Sequence, residues 1–146
     1  MNDPIAMLKA DHREVSAMLK ELAASKKPSA TRRKTTAKVV AALQLHMAIE
    51  ESLVYPLVAQ RVGEEEEQEA EIEHGLARDG LAEMSELVDE PGFGAAVAMV
   101  TAGIKHHVKE EETEVFPKLK EHLTRDELAK VGDAVAAKKK SKGRAA

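Results

Sequence analysis

Four segments of the chain carry an apolar stripe at three-and-four spacing, and in each the stripe is interrupted by one histidine. The stripes run Ile5, Leu8, His12, Val15, Leu19, Leu22; then Val39, Leu43, His46, Glu50, Leu53, Leu57; then Ala70, His74, Ala77, Leu81, Met84; then Val97, Val100, Ile104, His107, Glu111, Val115. That period is the signature of amphipathic helices. Asp3-Pro4 reads as an N-cap with proline at the first helical position. Pro28, Gly63 and the DEPGFG run at 89–94 separate the segments, and acids at 64–67 suit a helix start. Thr124 and Glu127 form a capping-box pattern for a fifth helix. Nothing reads as a strand. The expectation is an all-α fold: an antiparallel up-down four-helix bundle over 1–123, then 124–146 as a short C-terminal helix with a frayed basic tail.

Glu50 and Glu111 also occupy stripe positions, four residues after His46 and His107. Residues four apart share a helix face, about 6 Å apart along the axis, so each His-x-x-x-Glu pair can aim at one point. A buried, unpaired carboxylate costs several kcal/mol, and two facing each other repel. Bound cations resolve both problems.

The spacings repeat. His12 to His46 is 34 residues and His74 to His107 is 33. His46-MAI-Glu50-Glu51-SLV-Tyr55-Pro56 aligns with His107-VKE-Glu111-Glu112-TEV-Phe116-Pro117, and Asp11 and Glu73 precede the first histidine of each half. Two helix pairs in tandem would set two metals side by side, each with a histidine pair, with two bridging glutamates. His106-x-x-x-Glu110 is a rival register, but residue 107 is the one on the stripe. Glu51 and Glu112 point off the stripe and are expected to be solvated. His122 shares the stripe's angle but lies about 16 Å beyond Glu111 by the helix rise.

This pattern, H…HxxxEE…P twice over from His12 to Pro117, resembles the hemerythrin-like family, the HHE cation-binding domain. The resemblance implies a non-haem di-iron centre, oxo- or hydroxo-bridged, with His12 and His46 on one iron, His74 and His107 on the other, and Glu50 and Glu111 bridging. It implies O2, hydrogen peroxide or nitric oxide as ligands. The oxygen carriers of the family have a further histidine four residues from the one on the third helix; Ala70 and Arg78 stand there instead. Water, Tyr55, Glu71 or Glu73 can fill that place. Tyr55 is nine residues past His46, nominally on the opposite face, unless Pro56 distorts the turn. Two readings follow: catalase- or peroxidase-like turnover with no catalytic group beyond the metal ligands, or a non-enzymatic iron or oxygen sensor acting through a protein partner.

Composition excludes several other classes. The chain has no Cys, which removes disulfides, thiolate zinc sites and iron–sulfur clusters. Six His against two Phe, one Tyr and no Trp leaves few platforms for stacking bases, and the net charge of −4 disfavours polyanions. No nucleic-acid partner is expected. No apolar run approaches the roughly 20 residues of a membrane span, and MNDPIAMLKADH lacks the pattern of a signal peptide. The expected location is cytoplasmic.

Overall fold

The computed structural model describes the backbone of residues 2–145 and side chains through residue 142. The elements are α1 (Pro4–Ala24), α2 (Ala30–Ile49), a π-helical turn π1 (Glu50–Val54), α3 (Tyr55–Arg61), α4 (Glu64–Glu86), α5 (Phe93–Glu110), a second π-helical turn π2 (Glu111–Val115), α6 (Phe116–His122) and α7 (Arg125–Ala145). Among the described residues there is no strand.

The helices start where local chemistry dictates. The Asp3 carboxylate accepts from the backbone N–H groups of Ile5 and Ala6, with Pro4 at the first turn. Ser29 Oγ accepts from the Arg32 N–H at 3.0 Å. Thr124 and Glu127 cap one another reciprocally, at 3.1 and 3.0 Å. Each bond satisfies a donor that the first helical turn leaves without an internal partner.

α1 packs on α2, α5 and α7, and α4 packs on α5, α3 and α2. Two apolar clusters result. One holds Ile5, Leu8, Ile49, Val58, Leu119 and Val135. The other holds Val15, Leu22, Leu43, Met47, Met84 and Val97. The stripe histidines and glutamates lie on the helices between them. At the far end of the second cluster, Arg32 is buried. It donates to the Ser25 and Val88 carbonyls at 2.9 and 3.1 Å, and its guanidinium lies 4.4 Å from the Phe93 ring centre. One side chain thus ties together the ends of α1 and α4 and the start of α5.

Two expectations need correction. The stripe of the second segment does not continue to Leu53 and Leu57. Both are only partly buried, while Val54, Tyr55 and Val58 are fully buried. The π1 turn causes this. Its bonds close over five residues rather than four, with the Tyr55 N–H donating to the Glu50 carbonyl. Every later side chain is turned relative to a continuous α-helix. The second correction is at the C-terminus. α7 is 21 residues long rather than short, and it remains helical through the lysine run instead of fraying. Val135 is fully buried against the core, with Leu128 and Val131 beside it.

Candidate metal centre

All six stripe residues converge. His12, His46, Glu50 and Glu111 place one ligand atom each within 4.8 Å of one another, and so do Glu50, His74, His107 and Glu111. Glu50 and Glu111 belong to both groups, so the two sets share the carboxylates. All six are buried, with Glu50 and Glu111 at 0% and 1% exposure.

The inner contacts are close and poorly satisfied. His12 Nε2 lies 3.1 Å from Glu111 Oε1, and His46 Nε2 lies 3.2 Å from Glu50 Oε1. His74 Nε2 is 3.1 Å from Glu50 Oε1, and His107 Nε2 is 3.2 Å from Glu111 Oε2. Among the described residues, six buried side-chain atoms have no hydrogen-bond partner, and four of them are here: His12 Nε2, His46 Nε2, Glu50 Oε2 and Glu111 Oε1. Such atoms carry a desolvation cost that a cation would remove.

The outer nitrogens are all satisfied, each by a carboxylate. His46 Nδ1 is 2.9 Å from Asp11, and His107 Nδ1 is 2.7 Å from Glu73. His12 Nδ1 is 2.6 Å from Glu112, and His74 Nδ1 is 2.7 Å from Glu51. A ring that donates Nδ1–H outward presents the Nε2 lone pair inward, which is how a histidine is held for a metal. Glu51 and Glu112 are therefore not simply solvated, as their off-stripe position predicted. Their side chains, 30% and 32% exposed, bridge solvent and a site histidine. The residue after each ligand glutamate is where such a partner stands, a signal that helical periodicity does not carry.

Tyr55 enters the centre. Its hydroxyl donates to Glu111 Oε2 at 2.7 Å and lies 3.2 Å from Glu50 Oε1. The same oxygen is 2.9 Å from His74 Nε2 and 3.3 Å from His107 Nε2. One hydroxyl proton cannot serve four partners. The five-residue closure of π1 sets Tyr55 over Glu50; a regular helix would carry it away. Phe116 holds the equivalent place after π2 and stacks on His12, with ring centres 6.0 Å apart and planes 6° from parallel. Pro56 and Pro117 follow these residues at the first turns of α3 and α6. Each lacks the N–H of a regular helical bond and crowds the carbonyl four residues back, which favours the wider turn.

In metal-free protein, protons would balance the charge. Burial pulls the His46 imidazolium down, but the Glu50 charge and the bond to Asp11 overcome it and hold the ring up at about 10. His107 likewise is pushed up to about 12, by Glu111, Glu50 and Glu73 against burial. Burial works to raise Glu50, yet the His46 charge and the bonds from His107, His46 and His74 keep it well below the carboxylate range. Burial and the two glutamate charges push the Tyr55 phenol up.

His106 lies outside the centre, 62% exposed, near Glu73 and Glu110 at 3.2 and 3.1 Å. A cavity of about 400 Å³ reaches the four ligand histidines from the α4–α5 side, lined by Val15, Leu43, Met47, Ala77, Val100 and Ile104 among others. Ala70 is buried in the core, and Arg78 is 45% exposed and bonded to Glu51 at 2.7 Å, so neither supplies a metal ligand.

Residues 3–119 match the hemerythrin HHE cation-binding domain. In fold, the chain is similar to a crystal structure of a hemerythrin HHE cation-binding domain-containing protein from Mycobacterium kansasii, with a TM-score of 0.86 and 24% identity over 99% of this chain and 90% of that one. No curated protein matches the chain.

Proposed function

The chain belongs to the hemerythrin HHE cation-binding domain family, and from that premise we propose that it is a non-haem di-iron protein that binds or reduces O2, peroxide or nitric oxide. The observation that carries this reading is the set of orphaned inner atoms backed by four carboxylate-held imidazoles. His12 and His46 would hold one iron and His74 and His107 the other, with Glu50 and Glu111 bridging. The helices would supply them as an antiparallel up-down bundle, with α2 continued by α3 and α5 by α6, the unit spanning 1–123. Imidazole and carboxylate also suit manganese and zinc; family membership favours iron.

When bound, the iron pair supplies reversible one-electron chemistry at each ion. The chain's own residues do the rest. Asp11, Glu112, Glu51 and Glu73 orient the imidazoles and raise their donor strength. The Tyr55 hydroxyl lies beside His74 and His107 and would act there as a ligand, in place of the further histidine of the oxygen carriers, or as a proton donor. Glu73 serves as an outer partner through His107 Nδ1. The apolar cavity admits small uncharged ligands and limits water. Among the described residues, no helix is long and apolar enough to cross a membrane.

The test is metal analysis with an absorption spectrum, followed by peroxide addition. Iron-loaded protein should hold close to two irons per chain and show an oxo-to-iron charge-transfer band in the near ultraviolet. Metal content near zero after growth with ample iron would refute the reading. In the second reading, a sensor without turnover that acts through a protein partner, the pairing of Lys139 with Asp11 would link the centre to α7. It expects slow peroxide turnover and a protease sensitivity that differs between oxidised, reduced and metal-free protein.

A further inference from the structure

The two halves repeat closely around the centre, yet one side has an additional element against it. α7 lies on α1, α2 and π1. Its docking is intimate. A Cβ added at Gly132 would overlap the Asn2 backbone carbonyl, Asn2 Nδ2 donates to Asp133 at 3.1 Å, and Val135 is fully buried. Past that anchor, two consecutive lysines reach the first half of the site. Lys138 Nζ donates to Ser52 Oγ at 2.7 Å and approaches the Ala48 carbonyl at 3.4 Å. Ser52 Oγ itself donates to that carbonyl at 2.7 Å. Lys139 Nζ pairs with Asp11 Oδ1, while Asp11 Oδ2 accepts from His46.

The second half has the same local parts without the clamp. Thr113 stands for Ser52 and donates to the Lys109 carbonyl at 2.6 Å. Among the described residues, no lysine or arginine pairs with Glu73, the counterpart of Asp11. A π turn leaves helix carbonyls short of donors, so an added donor at Ala48 and Ser52 stabilises that geometry. A carboxylate with one oxygen held by an ammonium group cannot swing into solvent, and Asp11 is 17% exposed.

We infer that α7 is a clamp on one side of the centre: Lys138 fixes the π1 turn that carries Tyr55 inward, and Lys139 fixes the Asp11 carboxylate that orients His46. Both are positioning residues. The Lys139 half of this rests on the proposed metal reading, and the Lys138 half does not.

Two measurements on the full chain test it. In metal-free protein, Lys138→Met should speed amide hydrogen exchange across 50–55 several-fold while leaving 111–116 unchanged. Equal exchange in both turns, or no change in either, would overturn the clamp on π1. In the second, cobalt(II) is titrated against a competing chelator. Wild type should take two equivalents. Lys139→Met should weaken one of the two by about tenfold, the lower end of what outer partners of metal ligands contribute. Lys139→Arg should restore it. Two unchanged equivalents overturn the role of Lys139, and so does equal weakening of both alongside a lower melting temperature. Wild-type protein that takes up no cobalt refutes the metal reading itself, and the exchange measurement then still decides the clamp.

Discussion

At the scale of single residues, Tyr55 is the point where the halves differ most. Its hydroxyl donates to the buried Glu111 carboxylate and lies 3.2 Å from that of Glu50, and Phe116 at the matching place has no hydroxyl to offer. Tyr55→Phe therefore leaves Glu50 and Glu111 with less compensation and is expected to cost the metal-free protein about 1–3 kcal/mol, read by urea denaturation in chelator. On the proposed di-iron reading, His46→Ala has a different signature: a folded helical protein that holds less metal and lacks any peroxide turnover of the wild type, checked by circular dichroism beside metal analysis. The histidines also set a pH dependence. His46 and His107 have folded values raised from 6.5 to about 10 and about 12. Their contribution to metal-free stability is complete below about pH 6.5 and is lost as pH rises through those values. Glu50 is depressed from 4.5, so its contribution is present above about pH 4.5 and is lost as pH falls through its lowered value. Melting temperature in chelator should fall on both sides, and metal uptake at neutral pH should release protons.

At the scale of elements, the π turns decide what was legible in the chain. His12, His46, His74 and His107 stand out because α1, α2, α4 and α5 are regular through them, and Glu50 and Glu111 because they open the π turns, before the register has shifted. The register then slips at Glu50 and Glu111, so Leu53 and Leu57 read as core where Val54, Tyr55 and Val58 are. Sequence periodicity assumes a constant turn and has no means to register a five-residue closure. The clue it left was the proline repeated at the same offset, Pro56 and Pro117. Glu51 and Glu112 were missed for another reason: a residue beside the stripe reads as solvated when what matters is a ring nitrogen on a neighbouring helix. The length of α7 was hidden by its lysines, although Leu128, Val131 and Val135 keep three-and-four spacing. Gly132 is the sensitive position of that helix. Gly132→Ala places a methyl group against the Asn2 backbone, which cannot rotate away as a side chain can. It is expected to cost about 1–3 kcal/mol, seen in denaturation and as faster proteolysis of α7.

At the scale of the whole molecule, apolar packing lies on either side of a polar centre whose inner atoms are unmatched. Removing metal should therefore reach beyond the site. A ligand at a thousandfold excess over its Kd adds roughly 4 kcal/mol, and two such sites raise the melting temperature of a chain this size by on the order of 10 °C or more. Differential scanning calorimetry with and without chelator measures it. The crossing of the outer carboxylates has one more consequence. Each half keeps one of its pairs, Asp11 with His46 and Glu73 with His107, and exchanges the other, Glu51 with His74 and Glu112 with His12. Such reciprocal exchange is how two-fold homodimers are built. The chain is in this sense a dimer fused at Gly63. A fragment cut there would lack half of its own carboxylate partners, and the two fragments would each be the natural cofolding partner of the other.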